Sequence, residues 1–197
     1  AADTENRYIL TCKNTDKICI FTNKGQMHLL KVLDLPYGKF RDKGIPIDNL
    51  SNYDSSEENF IYIINLGAII HSRLLFGTKT AMLKMVDGSE FDVAKRTTAS
   101  TKLNEDDELL IVHAMTGEET VVMQSEKEMF LRIEASTIPE KKKGAVGVRG
   151  MKLGAGDALA AIYLLNAEDV VNIEVKGKEV ALNRLRTAGR DTKGNKR

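Results

Sequence analysis

The sequence predicts an all-β fold, a propeller-like ring of about four four-stranded blades, and three observations predict it. The pattern Leu-x-x-x-Asp recurs at 50–54, 103–107 and 153–157, with its aspartates 53 and 50 residues apart. Four segments, ICIFTNKGQMHLL (18–30), RLLFGTKTAMLKM (73–85), TVVMQSEKEMFLRI (120–133) and VNIEVKGKEVALN (171–183), each join two apolar runs through a polar turn containing Lys or Gly, the pattern of a β-hairpin. A further extended run follows each aspartate: NFIYIINL (59–66), ELLIVHA (108–114) and ALAAIYLL (158–165). Four strands in about 50 residues is the period of a blade in a radial β architecture. A lone blade leaves both faces open, so each must be covered by its neighbours.

The elements follow in order. Cys12 and Cys19 flank a turn in ILTCKNTDKICIF. If Thr15 and Asp16 form a two-residue loop, 12 faces 19 across a hairpin, as two small apolar residues in a reducing compartment. Four units are expected, approximately 7–53, 54–106, 107–156 and 157–197. The first and third share a proline (Pro36, Pro139) and a glycine (Gly44, Gly147), both pairs 103 residues apart. Met27, Met82 and Met129 fall just after the hairpin turns as equivalent, adaptable core filler. The run 158–165 could form one short helix, since alanine favours helix, but its sister segments make it a strand.

The chemistry is sparse. His28, His71 and His113 lie in different units without metal-ligand spacing. In NEDDELL (104–110), Asp107 aligns with Asp54 and Asp157, which marks a turn aspartate bonding nearby backbone rather than a catalytic acid. No GxSxG, HExxH, P-loop or Rossmann fingerprint occurs. No apolar run approaches the ~18 residues of a membrane span and no leader pattern opens the chain, so a cytoplasmic protein without membrane contact is expected.

Charge carries more information. The net charge is only +1, yet residues 139–152 hold five cations against Glu140, and residues 176–197 hold eight against two acids. The basic residues gather in Gly-containing elbows: GKFRDKG (38–44), AKRTTAS (94–100), KKKGAVG (141–147) and AGRDTKG (188–194). If these occupy one corner of successive blades, they line an outer rim suited to a phosphate backbone. The candidate DNA-contacting residues are Lys39, Arg41, Lys43, Lys95, Arg96, Lys141, Lys142, Lys143, Arg149, Lys152, Arg190, Lys193, Lys196 and Arg197. The alternative is a propeller that docks a protein partner, with incidental basic loops.

The combination FTNKG…KV…LP (21–36), GSEFDVAKRTTASTKL…DDEL (88–109), GAVGVRGMKL…GD (144–157) and RDTKGNKR (190–197) resembles the C-terminal domain of bacterial type IIA topoisomerase A subunits, those of gyrase and topoisomerase IV. The resemblance implies a β-pinwheel with hairpins exchanged between neighbouring blades and a basic perimeter that binds and bends double-stranded DNA. It also implies a fragment of a longer, nucleoid-associated A subunit that forms a homodimer and works with an ATPase B subunit. The parent's cofactors, ATP and Mg, would come through that partner, with none in this fragment. The family's wrapping box, Gln-Arg-Arg-Gly-Gly-Lys-Gly, has its nearest match in residues 141–147, which keep the basic pair and two glycines but lack the leading glutamine and the late lysine. Tyr8, Tyr37, Tyr53, Tyr62 and Tyr163 fit the repeat and are not candidates for the catalytic tyrosine.

Overall fold

A computed structural model describes residues 6–39 and 41–197. Apolar runs and hairpin turns give fourteen strands among the described residues. They are β1 (Lys17–Thr22), β2 (Gln26–Lys31), β3 (Phe60–Asn65), β4 (Arg73–Thr78), β5 (Met82–Asp87), β6 (Thr97–Ala99) and β7 (Leu109–Met115), followed by β8 (Thr120–Ser125), β9 (Met129–Glu134), β10 (Val148–Arg149), β11 (Leu159–Leu165), β12 (Asn172–Val175), β13 (Lys178–Ala181) and β14 (Asn195–Lys196). The only α-helix among the described residues is a single turn, Leu66–Ile69.

The strands form three four-stranded antiparallel sheets, ordered β3-β1-β2-β6, β10-β5-β4-β7 and β11-β8-β9-β14, and the two-stranded hairpin β12-β13. Each complete sheet therefore takes its hairpin from one repeat, one edge strand from the next, and the opposite edge strand from a strap further along the chain. Repeat and sheet are different units, and residues 157–197 give β11 and β14 to the third sheet while forming the fourth blade's hairpin. Strands β3, β7 and β11 adjoin one another on one side; β6, β10 and β14 form the opposite, outer edge.

The hairpin strands are apolar on both faces because each sheet is covered on both sides, the first by the second sheet and by the segments around Cys12, Ile47 and Tyr53. In β1, Cys19 and Phe21 face the second sheet while Ile18 and Ile20 face outward beneath Tyr53. In β4, Leu74 and Phe76 join the first core and Leu75 the second; in β8, Val121 and Met123 join the second and Val122 the third. The cores thus lie between blades, as the repeat requires.

Turn chemistry fixes the blades to one another. Asp107 accepts from Thr80 N (3.1 Å) and Thr80 Oγ1 (2.5 Å) in the β4–β5 turn, and Asp157 accepts from Lys127 N (3.2 Å) in the β8–β9 turn. Asp107 and Asp157 are therefore clamps on the preceding hairpin, whereas the Asp54 carboxylate accepts from Ser56 N (2.9 Å) and Ser56 Oγ (2.6 Å) beside it and does not reach the β1–β2 turn. Ala81 and Glu128 hold the left-handed turn position that Gly25 fills in the first hairpin.

Two local expectations are corrected. Residues 7–13 form no strand, because β2 and β3 occupy both edges of β1; Cys19 lies opposite Leu29 and Ile64, not Cys12. Cys12 packs on the Ile18/Ile20 face and Cys19 on the other. Burial raises the Cys19 thiol to about 12. Titration of the native protein with a thiol reagent should therefore modify Cys12 alone, and oxidation should form no internal disulfide; two fast-reacting thiols would contradict this. The methionine register also shifts: Met82 and Met129 open β5 and β9, and their counterpart opening β2 is Gln26, while Met27 corresponds to Leu83 and Phe130.

Candidate nucleic-acid interface

The outer edge is built by straps. In the second sheet Met85 N donates to Pro139 O (3.0 Å), Lys141 N donates to Met85 O (2.8 Å), and Gly150 N donates to Ala81 O (2.7 Å). Between these anchors residues 142–147 leave the sheet as a loop before β10 rejoins β5. Re-entry requires glycine: Gly147 has φ +106°, and a Cβ there would lie 2.6 Å from Leu83 O. The third sheet repeats the plan, with Ala188 N donating to Arg132 O (2.8 Å), a loop over 189–194, and Gly194 at φ +72° before β14.

The other two elbows differ from the expected common geometry. In the first sheet Leu29 N donates to Arg96 O (2.8 Å) and β6 begins at Thr97, so the strap runs straight with no loop. Residues 38–44 pair with no sheet among the described residues; Asp42 N donates to Lys39 O (2.9 Å) and Lys39 N to Asp42 Oδ2 (2.6 Å), closing an exposed turn. Lys39, Arg41 and Lys43 are exposed, in a segment that joins no sheet among the described residues.

Successive straps touch. Thr101 Oγ1, just past β6, donates to Ala145 O (3.3 Å) in the second loop. Just past β10, Lys152 N donates to Thr192 O (2.9 Å), and Asp191 N donates to Gly150 O (2.8 Å). One edge therefore runs unbroken from the first sheet to the third.

The nominated cations on that edge divide by what they already hold. Arg149 binds Asp191 through both Nε and Nη2, which keeps the Asp191 carboxyl below its usual range and raises the guanidinium. Arg190 donates to Arg149 O (2.8 Å) and Thr137 O (3.3 Å). Lys143 Nζ donates to Glu90 O (3.2 Å). Among the described residues Lys95, Lys141, Lys142, Lys152, Lys193, Lys196 and Arg197 are exposed and form no ion pair. Arg96 is exposed and donates to Leu50 O at 3.4 Å.

Sequence reasoning missed two groups. Lys17 and Lys31 lie directly opposite on β1 and β2, where the other sheets place Arg73 opposite Asp87 and Thr120 opposite Glu134. Like charges on one rung are unfavourable without an anion, and Asp92 supplies one at 3.8 Å from Lys17. With Lys95, Arg96 and Asp34 they line a depression of about 220 Å³. The second is Lys84, fully buried beneath the loop 142–147. Among the described residues no group of three His, Cys, Asp or Glu side chains could hold a metal ion, and no helix is long and apolar enough to cross a membrane.

Residues 72–114 and 119–166 match the family model of the DNA gyrase C-terminal domain, beta-propeller. The chain is 29% identical over 194 residues to the A subunit of DNA gyrase from Lawsonia intracellularis (strain PHE/MN1-00), a match that covers 94% of this chain and 23% of that protein. It is equally 29% identical to the A subunit of DNA gyrase from Staphylococcus epidermidis (strain ATCC 12228 / FDA PCI 1200), over 94% of this chain and 22% of that one. The chain thus spans under a quarter of these relatives. In fold it is similar to the C-terminal domain of DNA topoisomerase IV, with TM-score 0.83 at 24% identity over 92% of this chain and 58% of that one. The E. coli ParC C-terminal domain gives TM-score 0.79 at 14% identity over 94% and 78%. The DNA gyrase A C-terminal domain gives 0.67 at 19% over 93% and 60%.

Proposed function

With the blade repeat of the DNA gyrase C-terminal domain family in residues 72–114 and 119–166, we propose that this chain binds and bends duplex DNA for a type IIA topoisomerase A subunit. The outer edge holds the sugar-phosphate backbone without reading bases and presents a bent segment to the cleavage core of the longer protein. Strand breakage, the A-subunit homodimer, and ATP and Mg through the B subunit belong to that longer assembly. The observation that carries this reading is the contact between successive straps, which sets exposed cations of three blades along one edge.

Bending a 20–30 base-pair site costs about 1–6 kcal/mol, so several phosphate contacts must offset it. Binding should then fall steeply and linearly in log salt, at about 0.9 per phosphate neutralised, with little dependence on base sequence. Salt titration of duplex binding, with end-to-end fluorescence on a doubly labelled duplex, tests the proposal. Weak retention at low salt with unbent DNA favours the protein-docking alternative.

The Arg149–Asp191 pair refines the test. Asp191→Asn leaves a neutral acceptor and releases a cation on the edge, so the salt slope should steepen by about 0.9. An unchanged slope would mean that Arg149 faces no phosphate. The same pair sets a pH dependence: because the folded carboxyl is depressed, its contribution to stability is present above the ordinary Asp range near 4 and is lost as pH falls through the folded value. As pH falls below 4 toward the folded value, the variant and the parent should approach one another in melting temperature.

A further inference from the structure

We propose that Lys84 is the positioning residue of the rim, holding the loop 142–147 by its carbonyls so that Lys141 and Lys142 face outward toward phosphate. The inference rests on the DNA-binding reading above for its function, though not for its geometry. Lys84 is the third residue of β5 and is 1% exposed. Its Nζ donates to Lys142 O (3.1 Å), Lys143 O (3.1 Å) and Ala145 O (2.6 Å). An ammonium has three donors and no acceptor, and each donor finds a carbonyl of one loop.

Packing alone does not explain this residue. The third position of β2 is His28, and that of β9 is Leu131. His28 bonds Thr97 Oγ1 (2.9 Å) and Glu58 Oε1 (2.5 Å), and its sheet has a straight strap. Leu131 sits in an apolar core. A buried cation is unfavourable unless its donors are matched. Here it stands under the only strap with three consecutive lysines, where bulk alone would be met by leucine or methionine.

The hold has a definite consequence for the loop. With the carbonyls of 142, 143 and 145 drawn inward to one point, the Lys141 and Lys142 side chains are left exposed. Ala145 O also accepts from Thr101 Oγ1 (3.3 Å), so the same carbonyl joins the loop to the tail of the first strap. The groups packed around the ammonium are the Phe76 ring of β4 at 5.4 Å, Glu90 of the short helix Gly88–Phe91, and the backbone of Lys142 and Lys143. Burial draws the ammonium down to about 8, with Glu90 opposing. Losing its proton removes one of three donors, so the loop should loosen as pH rises through that value.

The experiment uses Lys84→Met on the full chain, which keeps the stem and removes the charge. Hydrogen exchange at the Lys143 and Ala145 amides should quicken while the strand amides of β4 and β8 keep their protection. Duplex affinity should fall about tenfold, and by less than twofold when Lys141, Lys142 and Lys143 are already alanine, because the effect acts through those side chains. Equal losses in both backgrounds, or no loss in either, would overturn the proposal. Should the variant not fold, the unmodified protein still decides: protection at Ala145, corrected for intrinsic exchange, should drop between pH 7 and 9, and constant protection would refute the assignment. If the parent chain shows no salt-dependent duplex binding, the functional reading fails while the exchange data still judge the hold on the loop.

Discussion

Alanine at Lys141, Lys142 and Lys143 together is expected to flatten the salt slope of duplex binding by about 1.8 to 2.7, from about 0.9 for each phosphate no longer neutralised. The lower bound counts Lys141 and Lys142, which are exposed and unpaired among the described residues. The upper adds Lys143, which is half-buried and already donates to Glu90 O. At 0.1 M salt the lower bound corresponds to roughly a sixtyfold loss of affinity if binding at 1 M is unchanged. The loss should be the same for duplexes of any sequence, because phosphate contacts position a protein without specifying bases. Lys79→Ala is the control: Lys79 binds Glu108 Oε2 at 2.5 Å in the hairpin-turn cluster with Lys24, and its removal should leave the slope in place. Fluorescence anisotropy between 50 and 200 mM salt reads both. A triple variant with the parent's slope would remove the loop from the interface.

How much of this was legible depended on whether a feature was local. The hairpins at 18–30, 73–85, 120–133 and 171–183 were readable because apolar runs about a polar turn need no distant partner to be recognised. The aspartates at 107 and 157 were readable because the repeat marks them, and the clamps on Thr80 and Lys127 give that mark its cause; Asp54 shares the sequence pattern, but its carboxylate bonds Ser56 two residues on. The resemblance implied exchanged hairpins, but the hairpins stay in their own repeats and single edge strands cross instead, which no local pattern marks. Nothing in the three residues of β6 says that they pair with β2, more than sixty residues earlier. The Cys12–Cys19 hairpin failed for the same reason, since its local pattern fits a turn but both edges of β1 are taken by strands elsewhere in the sequence.

The elbows show a further limit. AKRTTAS and KKKGAVG look alike as basic segments with small residues, yet one is a straight strap and the other a loop. The difference lies between the point where each strap first bonds its sheet and the point where its strand begins: Arg96 to Thr97 in one, Pro139 to Val148 in the other. Lys84 did leave a trace in the sequence, a lone lysine in the otherwise apolar run MLKMV of a strand buried on both faces. Its meaning depended on carbonyls some sixty residues away.

Phe21→Ala is expected to cost about 3–5 kcal/mol, the range for truncating a buried aromatic. Phe21 is fully buried on the face of β1 that meets the second sheet. Its ring lies 5.0 Å from Phe91 and 6.0 Å from Phe76, edge-on to both, and 6.2 Å from Tyr62. Phe76 and Phe91 belong to the second repeat, so the cavity opens between blades rather than within one. Against a total stability of about 5–15 kcal/mol the loss is large, and in a stacked array it falls on one interface. Urea denaturation should therefore show the first sheet releasing before the others, with an early transition in β1 and β2 exchange protection while β8 and β9 stay protected. Function should follow the same interface. The Thr101–Ala145 contact that carries the edge from the first strap to the second depends on those two sheets staying in register. The variant should still bind a short duplex through the loops 142–147 and 189–194 but bend a longer one less. A cost below about 1 kcal/mol, or one cooperative transition with unchanged bending, would show that the first blade is held chiefly by contacts other than this aromatic cluster.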